Sequence, residues 1–168
     1  MKNKPYLYLD MDGVLCDFYG KLRQLKNGTT REDKVTGLAN SSGKDVFDFF
    51  SNLEPLPGGI EILNFCKNNN IEFTICSAPL RGPYAEASRQ AKRDWLDKYN
   101  PGTSNNAIFT SAKYKYAKNG DDVNVLVDDF GKYLTAWDAA GGVAVKHEDS
   151  NTQHTISELE KIYAPYLK

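Results

Sequence analysis

The chain has 168 residues, of which 40% are hydrophobic, 12% aromatic and 26% charged, a composition that excludes disordered, collagen-like and coiled-coil proteins. At this length one domain with at most a small insert is expected, and folding hides roughly 70% of the chain's surface, enough for a core without disulfide or metal staples. Lys and Arg number 21 against 22 Asp and Glu, a net charge of −1; with no basic excess, no stable nucleic-acid complex is expected.

Cys16, Cys66 and Cys76 are odd in number and form no CxxC pair. A disulfide framework is therefore not expected, and a reducing, cytoplasmic setting is. The first apolar run is too short for a signal peptide or a membrane span, so a soluble chain with no membrane partner is expected.

In chain order, residues 6–9 (YLYL) read as the first strand. Residues 17–57 hold no convincing strand and read as a small, mostly helical insert. Pro57-Gly58-Gly59 then opens a helix carrying Ile62, Leu63 and Cys66. This glycine pair lacks a following GK[ST] and is not a phosphate loop. Residues 71–76 (IEFTIC) give the second strand, and residues 84–99 a long helix ending at Asn100-Pro101-Gly102. The third strand is read at 107–110 and the fourth at 123–127 (VNVLV). A short helix holds Tyr133, Leu134 and Trp137, the fifth strand spans 142–145, and Ile156, Leu159, Ile162 and Tyr163 mark a terminal helix. Strand then helix, repeated, argues an α/β fold: a doubly wound, Rossmann-like parallel sheet with a small helical cap inserted after the first strand. The expected organisation is a core of residues 1–16 and 58–168 and a cap of 17–57.

Ligands of such sheets bind beyond the carboxyl ends of the strands, and acids sit there. Asp10 and Asp12 follow the first strand, two residues apart and so able to share one site. Gly13 lets the chain turn sharply behind them. Asp128 and Asp129 end the fourth strand. Up to four converging carboxylates repel one another, and a hard cation such as Mg2+ resolves the conflict. Ser77 and Ala78, ending the second strand, offer a hydroxyl and backbone N–H groups to a phosphate oxygen. Lys113, after the third strand, can offset charge on a phosphoryl group. The bland alternatives are turn residues for the acids and Ser77 and a solvated surface lysine for Lys113. His147 and His154 have no metal-ligand spacing and read as surface residues.

In this order DMDGVLCDF, CSAP, Lys113 of AKYKYA and VLVDD resemble the four motifs of the haloacid dehalogenase superfamily of phosphotransferases. More narrowly, DMDGVLCDF with Phe18, the Lys92-x-x-Trp95 helix, and DDF followed by Trp137 and Gly141-Gly142 are similar to the 5′(3′)-deoxyribonucleotidases. The likeness spans about residues 5–146. It implies a Mg2+-dependent phosphomonoesterase acting on nucleoside monophosphates. Asp10 would be the nucleophile, giving an aspartyl-phosphate, and Asp12 the general acid and base. The metal would be held by Asp10, the Asp12 backbone carbonyl and Asp128, supported by Asp129. Ser77, Ala78, Lys113 and Lys92 would bind phosphate, with a helix-surface role the alternative for Lys92. Phe18, Phe47, Phe49 and Arg81 are candidates for substrate contact. Stacking on a base contributes about 1–3 kcal/mol, and the alternative for Phe47 and Phe50 is the insert's own small core. The expected partner is a small phosphorylated molecule, a nucleotide by this likeness. Competing readings are another small phosphate ester or a nucleic-acid phosphate end as substrate, or a phospho-accepting receiver-type regulator.

Overall fold

The elements run β1 (Tyr6–Leu9), α1 (Phe18–Arg23), α2 (Arg31–Ala39), α3 (Gly43–Ser51), α4 (Pro57–Asn68), β2 (Phe73–Ser77), α5 (Ala85–Tyr99), β3 (Ile108–Phe109), β4 (Lys118–Asn119), β5 (Asp122–Asp128), α6 (Gly131–Ala139), β6 (Val143–Lys146) and α7 (Thr152–Tyr163). The computed structural model describes residues 3–167; residues 1, 2 and 168, counted above in the expected core, lie outside the described residues.

Alternate side chains of a strand share a face. In β1, Leu7 and Leu9 are fully buried, while Tyr6 and Tyr8 stay half-buried on the opposite face. β1 pairs in parallel with β2 on one side and with β5 on the other. β2 carries β3 and β5 carries β6, again in parallel. The chain thus winds outward from β1 in one direction through β2 and β3, then from β5 in the other through β6. This is the doubly wound α/β sheet expected from the alternation. Its strand order reverses between β1 and β5, where a crevice opens at the carboxyl ends.

One strand was not read from the sequence. β4 pairs antiparallel with the start of β5, Lys118 opposite Val123 and Asn119 opposite Asp122. The signal was Asn119-Gly120-Asp121: Gly120, at φ +62°, makes the two-residue reversal.

The insert folds as α1, α2 and α3. Thr30 caps α2 reciprocally with Asp33, and Ser42 caps α3 through the Asp45 N–H. Phe18, Phe49 and Phe50 pack on one another with ring centroids 5.1–5.9 Å apart. Full burial of each contributes about 1.5–3 kcal/mol. They belong to the same contiguous core as Leu7 and Leu9. α3 lies on α5, whose Trp95 indole donates to the Leu53 carbonyl at 2.8 Å. α5 buries Ser88, Ala91, Lys92, Trp95 and Leu96, a helical stripe that contains a lysine.

His147 is not at the surface. Its N–H donates to the Asp128 carbonyl (2.8 Å), which extends the β5–β6 pairing by one residue and tucks the ring inward. The ring is fully buried beside Thr155 of α7, and burial lowers its pKa. His154 is exposed as expected. All three cysteines are buried and free; burial pushes the Cys66 and Cys76 thiols up to about 12. No helix among the described residues is long and apolar enough to cross a membrane.

Glycine is required where α4 meets the loop after β1. A Cβ on Gly59 would lie 2.6 Å from the Val14 carbonyl oxygen and 2.7 Å from Leu15 Cα, both backbone. Gly59→Ala is expected to cost about 1–3 kcal/mol by overpacking, seen as a lower urea midpoint at unchanged slope.

Candidate active site

Register brings the first two acids together. Leu9 pairs with Val127, and the Asp10 N–H donates to the Val127 carbonyl at 3.0 Å. Asp10 and Asp128 therefore leave adjacent strands side by side. Both are buried, at 5% and 0% exposure. Oxygens of Asp10, Asp128 and Asp129 all lie within 4.8 Å of one another.

The chain turns immediately beyond. The Met11 carbonyl accepts from the N–H groups of Val14, Leu15 and Cys16. Gly13 sits at φ +81°, and a Cβ there would lie 2.1 Å from Asp129 Oδ2. Only glycine satisfies both conditions. The turn presents Asp12 to the same cavity as Asp10 and Asp129.

Two buried lysines hold these acids. Lys113 Nζ donates to Asp10 Oδ1 at 2.9 Å and to Asp128 Oδ2 at 2.7 Å, with the Tyr133 ring centroid 4.5 Å away. Lys92 Nζ donates to Asp12 Oδ2 (3.1 Å), Ser77 Oγ (2.8 Å) and the Ala78 carbonyl (2.7 Å), with the Phe50 ring at 5.1 Å. Each lysine is 1% exposed. The solvated-surface alternative therefore fails for Lys113 and the helix-surface alternative for Lys92.

Burial is the largest influence on the charges. It raises Asp10 to about 8, helped by Asp128 and opposed by Lys113. It raises Asp129 to about 7, helped by Asp10, and raises Asp128 against the pull of Lys113. Burial alone would lower the Lys113 ammonium; Asp10 and Asp128 outweigh it and shift the group upward. One lysine does not neutralise three crowded carboxylates, so protons are retained on them. Hard oxygen donors carrying uncompensated negative charge fit a divalent cation such as Mg2+.

A cavity of about 630 Å³ opens over these groups. Asp10, Asp12 and Asp129 lie on it, with Ala78 and Arg81 from the loop after β2. Phe18 and Phe50 supply apolar wall from the insert. Ser77 is fully buried behind Lys92. Phe47 and Phe49 do not line this cavity; Phe49 lines a separate groove among α1, α2 and α3. The sequence reading missed Tyr19, Arg31, Phe130, Lys132 and Tyr133, all on the cavity. Tyr19 adjoins Phe18 in the first motif, and Phe130 follows the second acidic pair; their neighbours were the signal.

No protein-family model matches the chain, and no curated protein matches it by sequence. Solved structures share its fold. The chain is similar to a dehalogenase crystal structure at 13% identity and a TM-score of 0.55, covering 100% of this chain and 99% of that one. A hydrolase from Pseudomonas syringae matches at 14% identity and 0.52, covering 92% and 99%. A class C acid phosphatase from Bacillus anthracis, solved with tungstate bound, matches at 15% and 0.50, covering 100% and 81%. At these identities the likeness establishes the fold.

Two outcomes follow from the charges. In the folded, metal-free protein Asp10 and Asp129 hold protons that the unfolded chain has released, so stability falls as pH rises towards 8. His147 acts oppositely, its contribution growing as pH rises towards 6.5 and complete above it. Calorimetry in chelator should therefore show a melting temperature that falls between pH 6.5 and pH 8, and saturating Mg2+ should remove that fall. Lys113→Met strands Asp10 and Asp128 without their shared cation; a loss of about 3–5 kcal/mol is expected in denaturant titrations.

Proposed function

We propose that the protein is a Mg2+-dependent phosphomonoesterase of haloacid dehalogenase type, acting on nucleoside monophosphates. The observation carrying this is Asp10, a buried carboxylate tied to Lys113, facing a cavity across which Asp12 stands ready for proton transfer. Asp10 attacks phosphorus while Asp12 gives its proton to the departing alcohol oxygen. An aspartyl-phosphate remains on Asp10. Asp12 then takes a proton from water, the water oxygen attacks phosphorus, and inorganic phosphate leaves with Asp10 regenerated.

A carboxylate approaching a phosphate dianion meets repulsion on the order of 4 kcal/mol per like-charge pair at 4 Å and an effective dielectric near 20. Lys113 and Lys92 offset part of it, and Lys92 also holds Ser77 and the Ala78 backbone where a phosphate oxygen would lie. Mg2+ would supply the remaining positive charge, held by Asp10, the Asp12 carbonyl and the acidic pair Asp128 and Asp129. Of those two, Asp129 is the better direct ligand. Asp128 already accepts from Lys113 at one oxygen and from the Phe130 N–H (3.0 Å) at the other, whereas Asp129 opens onto the cavity. This exchanges the two roles that the resemblance implies.

Nucleoside monophosphates are favoured by the walls. Phe18 and Phe50 present apolar surface, while Arg31, Arg81 and Lys132 carry positive charge around the cavity. Tungstate, bound by the Bacillus anthracis acid phosphatase, is a tetrahedral oxyanion, as phosphate is. The receiver-type alternative lacks support from the sheet. Receivers use the order 2-1-3-4-5, whereas here β1 lies between β2 and β5.

The test is hydrolysis of p-nitrophenyl phosphate with and without Mg2+, followed by a panel of nucleoside monophosphates and sugar phosphates. Mg2+-dependent turnover with preference for nucleotides is expected. Asp10→Asn should lower the rate about a thousandfold or more, roughly 4 kcal/mol in the barrier. Near-normal turnover by that variant would remove Asp10 as nucleophile.

A further inference from the structure

We propose that Tyr19 is a positioning residue, fixing the Asp129 carboxylate for the cation through its hydroxyl, with Arg31 of α2 holding that hydroxyl in place. The inference rests on the metal reading above and adds to it a link between the insert and the ion site.

Tyr19 and Asp129 close together over Gly13. A Cβ on that glycine would lie 2.1 Å from Asp129 Oδ2 and 2.8 Å from Tyr19 Cε2. Arg31 Nη2 donates to the Tyr19 oxygen at 3.0 Å, and the guanidinium lies 4.4 Å over the ring. The phenol oxygen is thereby an acceptor towards Arg31, and its own proton is free to point at the carboxylate beside it.

The geometry has a consequence for the ion. A carboxylate in the turn just beyond a strand rotates unless something bonds to it. Asp128 has Lys113 and the Phe130 N–H for this purpose. For Asp129, whose Oδ2 lies with the Tyr19 ring edge over Gly13, the Tyr19 hydroxyl would supply that restraint. Arg31 is the first residue of α2, so displacement of α2 releases Tyr19 and loosens the metal site with it. Outer partners of metal-ligating carboxylates typically contribute 10–100-fold in metal affinity.

The probe is Mn2+ alone, titrated by calorimetry against wild type and Tyr19→Phe. The Phe variant keeps the ring that packs edge-on against Phe18 at 5.2 Å and removes only the hydroxyl. An unchanged melting temperature in chelator, about tenfold weaker Mn2+ binding, and turnover restored at saturating Mn2+ are expected. Mn2+ affinity within twofold of wild type overturns the proposal. Arg31→Met, on an exposed position of α2, decides the matter should Tyr19→Phe not fold. Loss of Arg31 acting through the hydroxyl weakens Mn2+ binding, whereas loss of a mere nearby cation tightens it, and tighter binding overturns the proposal. Wild-type protein that binds no divalent cation at all would instead remove the metal reading itself, and this inference with it.

Discussion

The Lys113 ammonium between Asp10 and Asp128 is the interaction on which the rest of the site depends. Two carboxylates at the ends of adjacent strands, both withdrawn from water, repel each other and resist ionisation. A lysine reaching both at 2.7–2.9 Å makes the arrangement tolerable without making it neutral. The remainder is negative charge beside a cavity, seen as carboxyl protons held up to about 7 and about 8. Crowded oxygen donors of this kind fit a divalent cation.

Why the acids meet at all is a matter of topology. β1 and β5 are far apart in the chain, yet the sheet reverses its winding between them, and a crevice opens where their carboxyl ends lie. Residue-for-residue register then sets Asp10 beside Asp128. The loop that follows β1 has little freedom. It turns on Gly13 against Asp129 and passes over Gly59 at the start of α4, and side chains at either position would collide with what they face.

The insert contributes to the cavity unevenly. α3 is anchored on α5, placing Phe50 both in the core and beneath Lys92. α2 begins at exposed Arg31, whose guanidinium donates to the Tyr19 hydroxyl of α1. Core packing and cavity lining are thus shared among neighbouring helices, and Phe49, one residue from Phe50, lines the other groove.

Much was legible in the sequence because it is written in local pattern. Short apolar runs gave the parallel strands, two of them ending in acids, and Gly and Pro marked the boundaries of α4 and α5. The acids Asp10, Asp12, Asp128 and Asp129 were readable as one group because residues at successive strand ends share a rim. What the sequence left open was decided by packing across long separations. Lys92 and Lys113 look like surface lysines in isolation; only the folded chain surrounds each with acceptors and an aromatic ring, and so makes burial of an ammonium affordable. His147 looks polar and turns inward because it continues the pairing of β6. Asp128 and Asp129 are adjacent and chemically identical in sequence. The structure alone separates them: Asp128 ends β5 buried against Lys113, while Asp129 follows in the turn and opens onto the cavity.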